Sequence, residues 1–340
     1  MVSYKNYNYN RALIIGKFMP LHRGHMKMIE HATQIAKDVY IVVLGCKEEP
    51  ISLIQRYSWV SDTYVDDYNV HPMMLGFDSN ELNASSESDL QSSIEWSEYL
   101  KANLKDFDRY DVIVGSEKYV QYMGEYLGID YDIFDEERKA VSISATAIKS
   151  DIVNNWDYLA PAVKRTYAKH ICIVGSESTG KTTVCRRIED ENNFVTAVYE
   201  IGRSLVGKSE LCTKEKLISI YEIHEMLLKE VRYDPPTPII IWDTDNIITK
   251  SYYKFLFDSY FYPQQVENIA DKYFFFDSNI PVVDDGSRFD ESTAKSLKDC
   301  HISMYNEYGI DLEMVTENRY EVVNDYVQRS IEKLKNIFTT

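Results

Sequence analysis

The chain has 340 residues, 37 of them basic and 54 acidic, for a net charge of −17 at pH 7. At roughly 150 residues per domain that length predicts about two domains, each able to bury its own core. The acidity argues against general nucleic-acid binding, which needs Lys and Arg to neutralise phosphates, and against an anionic membrane surface. With 44% hydrophobic and 27% charged residues the composition is that of a globular protein. Five scattered cysteines (Cys46, Cys172, Cys185, Cys212, Cys300) form no C-x-x-C pair, so neither a disulfide framework nor a structural zinc site is expected. No apolar run reaches the ~18 residues of a membrane span, and the opening MVSYKNYNYN lacks a signal-peptide core. A cytoplasmic, reducing setting is the expectation.

In chain order, Arg11 to Gly16 (RALIIG) reads as a buried strand, followed by a helix from about Gly24 to Lys37. Val39 to Leu44 is a second strand, and Asp111 to Val114 a later one. The polar stretch Asp78 to Ser93 reads as a surface loop, and Asp151 to Lys169 as a short helical connector. From His170 the rhythm restarts: a strand (HICIV), a Gly-rich turn, then a helix over Thr182 to Glu191. Further strands are expected at Phe194 to Tyr199, Ile239 to Trp242 and Lys272 to Phe276. Strands alternating with helices predict parallel sheets covered by helices on both faces. Two such starts predict an α/β chain of two tandem three-layer domains, residues 1–165 and 166–340.

Residues 175–182 read GSESTGKT, matching G-x-x-x-x-G-K-[ST] between an apolar strand and a helix. Such a loop wraps phosphates with backbone N–H groups; its lysine reaches the β- and γ-phosphates and its last hydroxyl ligates Mg²⁺. The ATP-binding set is therefore Gly175, Ser176, Glu177, Ser178, Thr179, Gly180, Lys181, Thr182 and the neighbouring Thr183, with Thr182 and Asp243 as metal ligands. Asp243, at the end of a strand, can alternatively take a proton from an attacking hydroxyl. Glu200 is a second candidate base, with Arg203 holding substrate. Trp242, Tyr252 and Tyr253 offer aromatic faces for a base, though packing is the commoner use of such residues. Asp245 completes the acidic strand end, and Glu200, Arg203, Trp242, Asp243 and Asp245 are the expected substrate contacts of this half. Val282 to Arg288 (VVDDGSR) reads as a lid whose Arg288 stabilises the transferring phosphoryl group, with an ordinary turn equally open.

Residues 16–25 read GKFMPLHRGH and place His22 and His25 at the start of a helix, where imidazoles and backbone amides can meet phosphates. H-x-x-H has no third metal ligand at suitable spacing, which disfavours a metal pair. The stretch resembles the G-x-F-x-P-x-H-x-G-H signature of the nucleotidyltransferase superfamily. Residues 143–149 (ISATAIK) are similar to its second signature, I-S-x-T-x-[IL]-R, with Lys149 where the family has arginine. Lysine keeps the charge but loses the planar fork.

A nucleotidyltransferase domain followed by a phosphate-loop domain resembles the NadR-type bifunctional proteins. The resemblance runs from about Arg11 to Ile337 and includes YEIGRS, IIWDTD and VVDDGSR. It implies a nicotinamide mononucleotide (NMN) adenylyltransferase joined to a ribosylnicotinamide kinase, with ATP as co-substrate and Mg²⁺ as cofactor. It further implies ATP and NMN contacts at Gly16, Lys17, Phe18, His22, His25, Ser144, Thr146 and Lys149, with Arg56 and Trp59 at the nicotinamide nucleotide. His22, His25, Lys181, Glu200 and Asp243 would be the catalytic residues. Small molecules are then the expected partners, with no nucleic acid or membrane and with a homo-oligomer left open. Some members carry an N-terminal helix-turn-helix repressor segment; with the first strand so near residue 1 and a charge of −17, no repressor role is expected. Two alternatives stay open: an NAD- or ATP-binding sensor with weak activity, and a related nucleotidyltransferase/kinase acting on another small phosphorylated substrate.

Overall fold

A computed structural model describes residues 7–82, 89–137, 139, 141–202, 212–261, 269–277 and 291–338. The chain divides into two compact units, Met1–Lys164 with Ile337–Thr340, and Arg165–Asn336.

The first unit is a five-stranded sheet in the order β3-β2-β1-β4-β5, every neighbouring pair parallel. Its strands are β1 (Tyr9–Gly16), β2 (Ala36–Gly45), β3 (Val70–Gly76), β4 (Val112–Gly115) and β5 (Asp130–Ile133). The helices are α1 (Arg23–Ile35), α2 (Leu53–Thr63), α3 (Leu90–Asn103), α4 (Tyr119–Leu127), α5 (Ala145–Ser150) and α6 (Pro161–Tyr167), whose last residues enter the second unit. β1 lies at the centre, so ALII and the VYIVVL run of β2 are covered on both faces, as continuous apolar strands require. α1 stops two residues earlier than expected because the chain turns extended at Ala36 and joins β2 directly. The anticipated loop over 78–93 is shorter than expected: Asp89 caps α3 by accepting a hydrogen bond from the Ser92 amide.

The second unit repeats the plan with the order β10-β9-β6-β8-β7, again all parallel. Its strands are β6 (Lys169–Gly175), β7 (Val195–Val198), β8 (Ile239–Asp243), β9 (Lys272–Phe276) and β10 (Leu312–Val315). Its helices are α7 (Lys181–Glu191), α8 (Lys214–Tyr233), α9 (Asn246–Phe257), α10 (Glu291–Glu307) and α11 (Arg319–Lys335). Cys172, Val174, Ile240, Trp242, Tyr273 and Phe275 meet in one buried cluster. β6 is central, so the loop that leaves it opens at the carboxyl edge between the two halves of the sheet, where such folds bind ligands. Among the described residues, no helix is long and apolar enough to cross a membrane.

Candidate functional site

In the first unit β1 ends at Gly16 and the chain runs through Lys17 and Phe18 into α1. His22 is the N-cap of α1: its Nδ1 accepts a hydrogen bond from the Gly24 amide at 3.1 Å. A Cβ at Gly24 would lie 2.9 Å from Cε1 of His22, so this approach needs glycine. The two imidazoles stack with centroids 3.8 Å apart, and Phe18 packs on His25 at 4.9 Å. Burial, and then the neighbouring His22, hold His25 well below the usual histidine range, so its ring is neutral at pH 7. Its Nδ1 is buried without a hydrogen-bond partner. An imidazole pair at a helix N-terminus presents ring nitrogens and backbone amides to an anion.

Lys17 and Arg56 meet at a residue the sequence reading passed over, Glu49. The Lys17 ammonium lies 2.9 Å from Oε1 of Glu49, and Nη2 of Arg56 lies 2.6 Å from Oε2. Nη1 of Arg56 also donates to the carbonyls of Lys17 (3.1 Å) and Leu44 (2.9 Å). Burial opposes the charge on Glu49, but Lys17, Arg56 and the Cys46 amide together hold its carboxyl below the usual range. Arg56 is 0% and Trp59 1% exposed. The expectation that these two side chains face a nicotinamide nucleotide is therefore corrected. Arg56 ties the β1–α1 loop to the end of β2, its fork spent on carbonyls and carboxylate, and Trp59 is core. Ser144 caps α5, accepting from the Ala147 amide at 3.1 Å, with Thr146 exposed and Lys149 half-buried on the same short helix.

In the second unit the phosphate loop bends through left-handed backbone at Gly175 (φ 131°), Ser178 (60°) and Gly180 (86°). A Cβ at Gly175 would fall 2.2 Å from the carbonyl oxygen of Phe276, so only glycine fits against β9. The hydroxyl of Thr179 donates to the Ser176 carbonyl at 2.9 Å, and the Lys181 ammonium donates to the carbonyls of Gly175 (3.0 Å) and Ser176 (2.9 Å). The loop thus holds its own lysine across its mouth. Thr182, in the first turn of α7, donates to Oδ2 of Asp243 at 2.5 Å, while Oδ1 of Asp243 is buried without a partner. Thr183 is exposed.

Glu177 accepts a hydrogen bond from the Tyr252 hydroxyl at 2.9 Å. Burial raises that hydroxyl well above the ordinary tyrosine value, and the charges of Glu177 and Glu200 push it the same way. Glu200, exposed just beyond β7, therefore shares this side of the unit with the loop. Tyr252 also packs against His301 of α10, with ring centroids 5.2 Å apart. Burial and the Lys181 charge lower His301 to about 3. No local motif marks His301, because its contact with the loop region is purely tertiary.

Two expected substrate contacts are engaged inside the protein. Trp242 is wholly buried in the core cluster, its Nε1 donating to Nδ1 of His170 at 3.1 Å, because strand alternation turns it beneath the sheet. Asp245 is the N-cap of α9, accepting from the amides of Ile247 (3.0 Å) and Ile248 (3.2 Å) and from the Tyr305 hydroxyl (2.5 Å). Burial pushes its carboxyl up to about 6 against those three hydrogen bonds. Arg203, Arg288 and the expected lid over 282–288 lie outside the described residues.

An AAA-domain family model matches residues 170–322. The trifunctional NAD biosynthesis/regulator protein NadR of Salmonella typhimurium is 24% identical over 92% of this chain and 80% of its own length. Its Escherichia coli counterpart is 25% identical over 91% and 79%. Crystal structures of NadR, one in complex with NR and one with NAD and AMP-PNP, match 96% of this chain and 98% of theirs. Identity is 20% in both, with TM-scores of 0.55 and 0.54. The likeness to NadR expected from a few motifs thus extends along nearly the whole chain, and in both units the fold is NadR-like.

Proposed function

We propose that this chain is a bifunctional enzyme of NAD salvage: the second unit phosphorylates ribosylnicotinamide with ATP, and the first joins the resulting NMN to ATP, giving NAD and pyrophosphate. The observation that supports this reading is that one chain, similar to NadR along nearly its whole length, carries on each of two parallel sheets a strand-to-helix loop of the kind that suits phosphate.

In the first unit the attacking group is a phosphate, already an anion, so positioning and charge stabilisation carry the reaction. The NMN phosphate attacks the α-phosphorus of ATP and pyrophosphate departs. His22, His25 and the backbone amides at the start of α1 stabilise the phosphate oxygens, and Lys17 and Lys149 supply positive charge. In the second unit the 5′-hydroxyl of ribosylnicotinamide attacks the γ-phosphorus and ADP departs. That nucleophile is neutral and must lose a proton. The hydrogen bond from Thr182 favours Asp243 for the metal side of the site, which leaves Glu200 as the carboxylate for the proton.

Mg²⁺ fits this donor set. The described residues hold no cluster of three or more His, Cys, Asp or Glu able to bind a metal by themselves. Thr182, Asp243 with its unpaired Oδ1, and nucleotide phosphates match the hard, oxygen-only ligation Mg²⁺ prefers. When bound, the ion neutralises charge on the phosphates; Thr182 and Asp243 would hold it.

Paired variants test the division of labour. His25→Ala is expected to abolish NAD formation from NMN and leave the kinase active, and Lys181→Ala to do the converse. Loss of both activities in either variant, or of neither, contradicts the assignment.

A further inference from the structure

The mechanism above makes no use of Thr244, the residue between Asp243 and the helix cap Asp245. Its backbone lies at φ 82°. A β-branched residue in that region is a true outlier and is strained there. Thr244 is also 6% exposed, and its Oγ1 is buried with no hydrogen-bond partner. An unsatisfied buried hydroxyl is itself unfavourable. The backbone bend has a clear purpose. It lets Asp243 meet Thr182 while Asp245 turns inward to cap α9. Glycine would make that bend without strain. The threonine side chain therefore answers to something other than the fold.

Its position says what. The Thr244 amide donates to the carbonyl of Ile173 at 3.0 Å, beside the strand that feeds the phosphate loop. Asp243 pairs in register with Ile173, so Thr244 stands one step beyond the sheet, at the carboxyl edge. A cation there would be served by Asp243 and Thr182. A neutral hydroxyl that both donates and accepts matches another neutral hydroxyl instead.

We propose that the Thr244 hydroxyl is a specificity-determining contact of the phosphate-loop unit, pairing with a sugar hydroxyl of the nucleoside that accepts the phosphoryl group. The inference rests on the kinase reading above. On binding, the ligand satisfies Oγ1.

Three variants of the full chain test this. Thr244→Gly removes strain and hydroxyl together, Thr244→Ala removes the hydroxyl alone, and Thr244→Ser keeps it. The readouts are the denaturation midpoint, and kcat and KM for ribosylnicotinamide, for ATP and for Mg²⁺. The glycine variant is expected to be more stable than the parent. Yet, like the alanine variant, it should show a KM for the nucleoside raised about tenfold, as loss of one hydrogen bond predicts, with the ATP and Mg²⁺ dependences unchanged. The serine variant should stay within about threefold of the parent. The proposal is overturned if the glycine variant is less stable, or if glycine and alanine keep the parent KM. It is equally overturned if the ATP or Mg²⁺ dependence moves instead, or if serine is as impaired as alanine. A parent chain that phosphorylates no nucleoside overturns the kinase reading itself, a result visible before any variant is made.

Discussion

The Thr182 hydroxyl donates to Oδ2 of Asp243 across 2.5 Å, joining the first turn of α7 to the end of β8 over sixty-one positions of sequence. The bond fixes where the carboxylate stands relative to the phosphate loop. Asp243→Asn keeps the shape and an acceptor for Thr182 but loses the charge. Kinase turnover is expected to fall by about a hundredfold or more, with NAD formation from supplied NMN unchanged. Steady-state assays of the two half-reactions check this, and a kinase within tenfold of the parent would remove Asp243 from the metal site.

Arg56 makes a different kind of prediction. Its guanidinium is buried between Glu49 and two main-chain carbonyls, so Arg56→Lys keeps the charge and loses the fork. We expect chemical denaturation to show a loss of at least about 2 kcal/mol, since breaking a buried pair costs ~3–5 kcal/mol. The β1–α1 loop should loosen, and adenylyltransferase activity fall with it, while the kinase persists. Unchanged stability with a raised KM for NMN would instead restore Arg56 as a ligand contact.

How much of this was legible beforehand follows from how local each signal is. The phosphate loop is written in consecutive residues, and a Cβ at Gly175 fails against Phe276 whatever surrounds it. The central strands show as unbroken apolar runs because both faces are covered. The edge strands gave no such signal: β3 contains Pro72, and β5 reads DYDI with its first two residues exposed. In both, only pairing with a neighbour reveals the strand. Charge misled in the opposite direction. Arg56 and Asp245 read as ligand contacts, because a sequence carries no trace of the carbonyls that hold the guanidinium, or of the amides and tyrosine on Oδ1 of Asp245. Glu49 was missed for the same reason.

Acid should weaken the second unit. Burial lowers His170 and His224 to about 4 and His301 to about 3, while an unfolded histidine titrates near 6.5. Below about pH 6.5 the unfolded chain takes up protons that these folded rings refuse, so their contribution is full above that pH and is lost as pH falls toward 4. Asp245 acts oppositely. Its folded carboxyl, raised to about 6, binds a proton before the unfolded one does and returns part of the loss. Three groups outweigh one. Denaturation curves between pH 7 and pH 4.5 should show stability falling steadily, and a flat or rising profile would contradict the buried, neutral histidines.

The most direct test of the account is to give the purified chain ribosylnicotinamide, ATP and Mg²⁺, with no NMN, and to follow the products in time. The account predicts that NMN and ADP appear first and that NAD and pyrophosphate follow in the same vessel. Turnover that stops at NMN, or no consumption of ribosylnicotinamide at all, would contradict it.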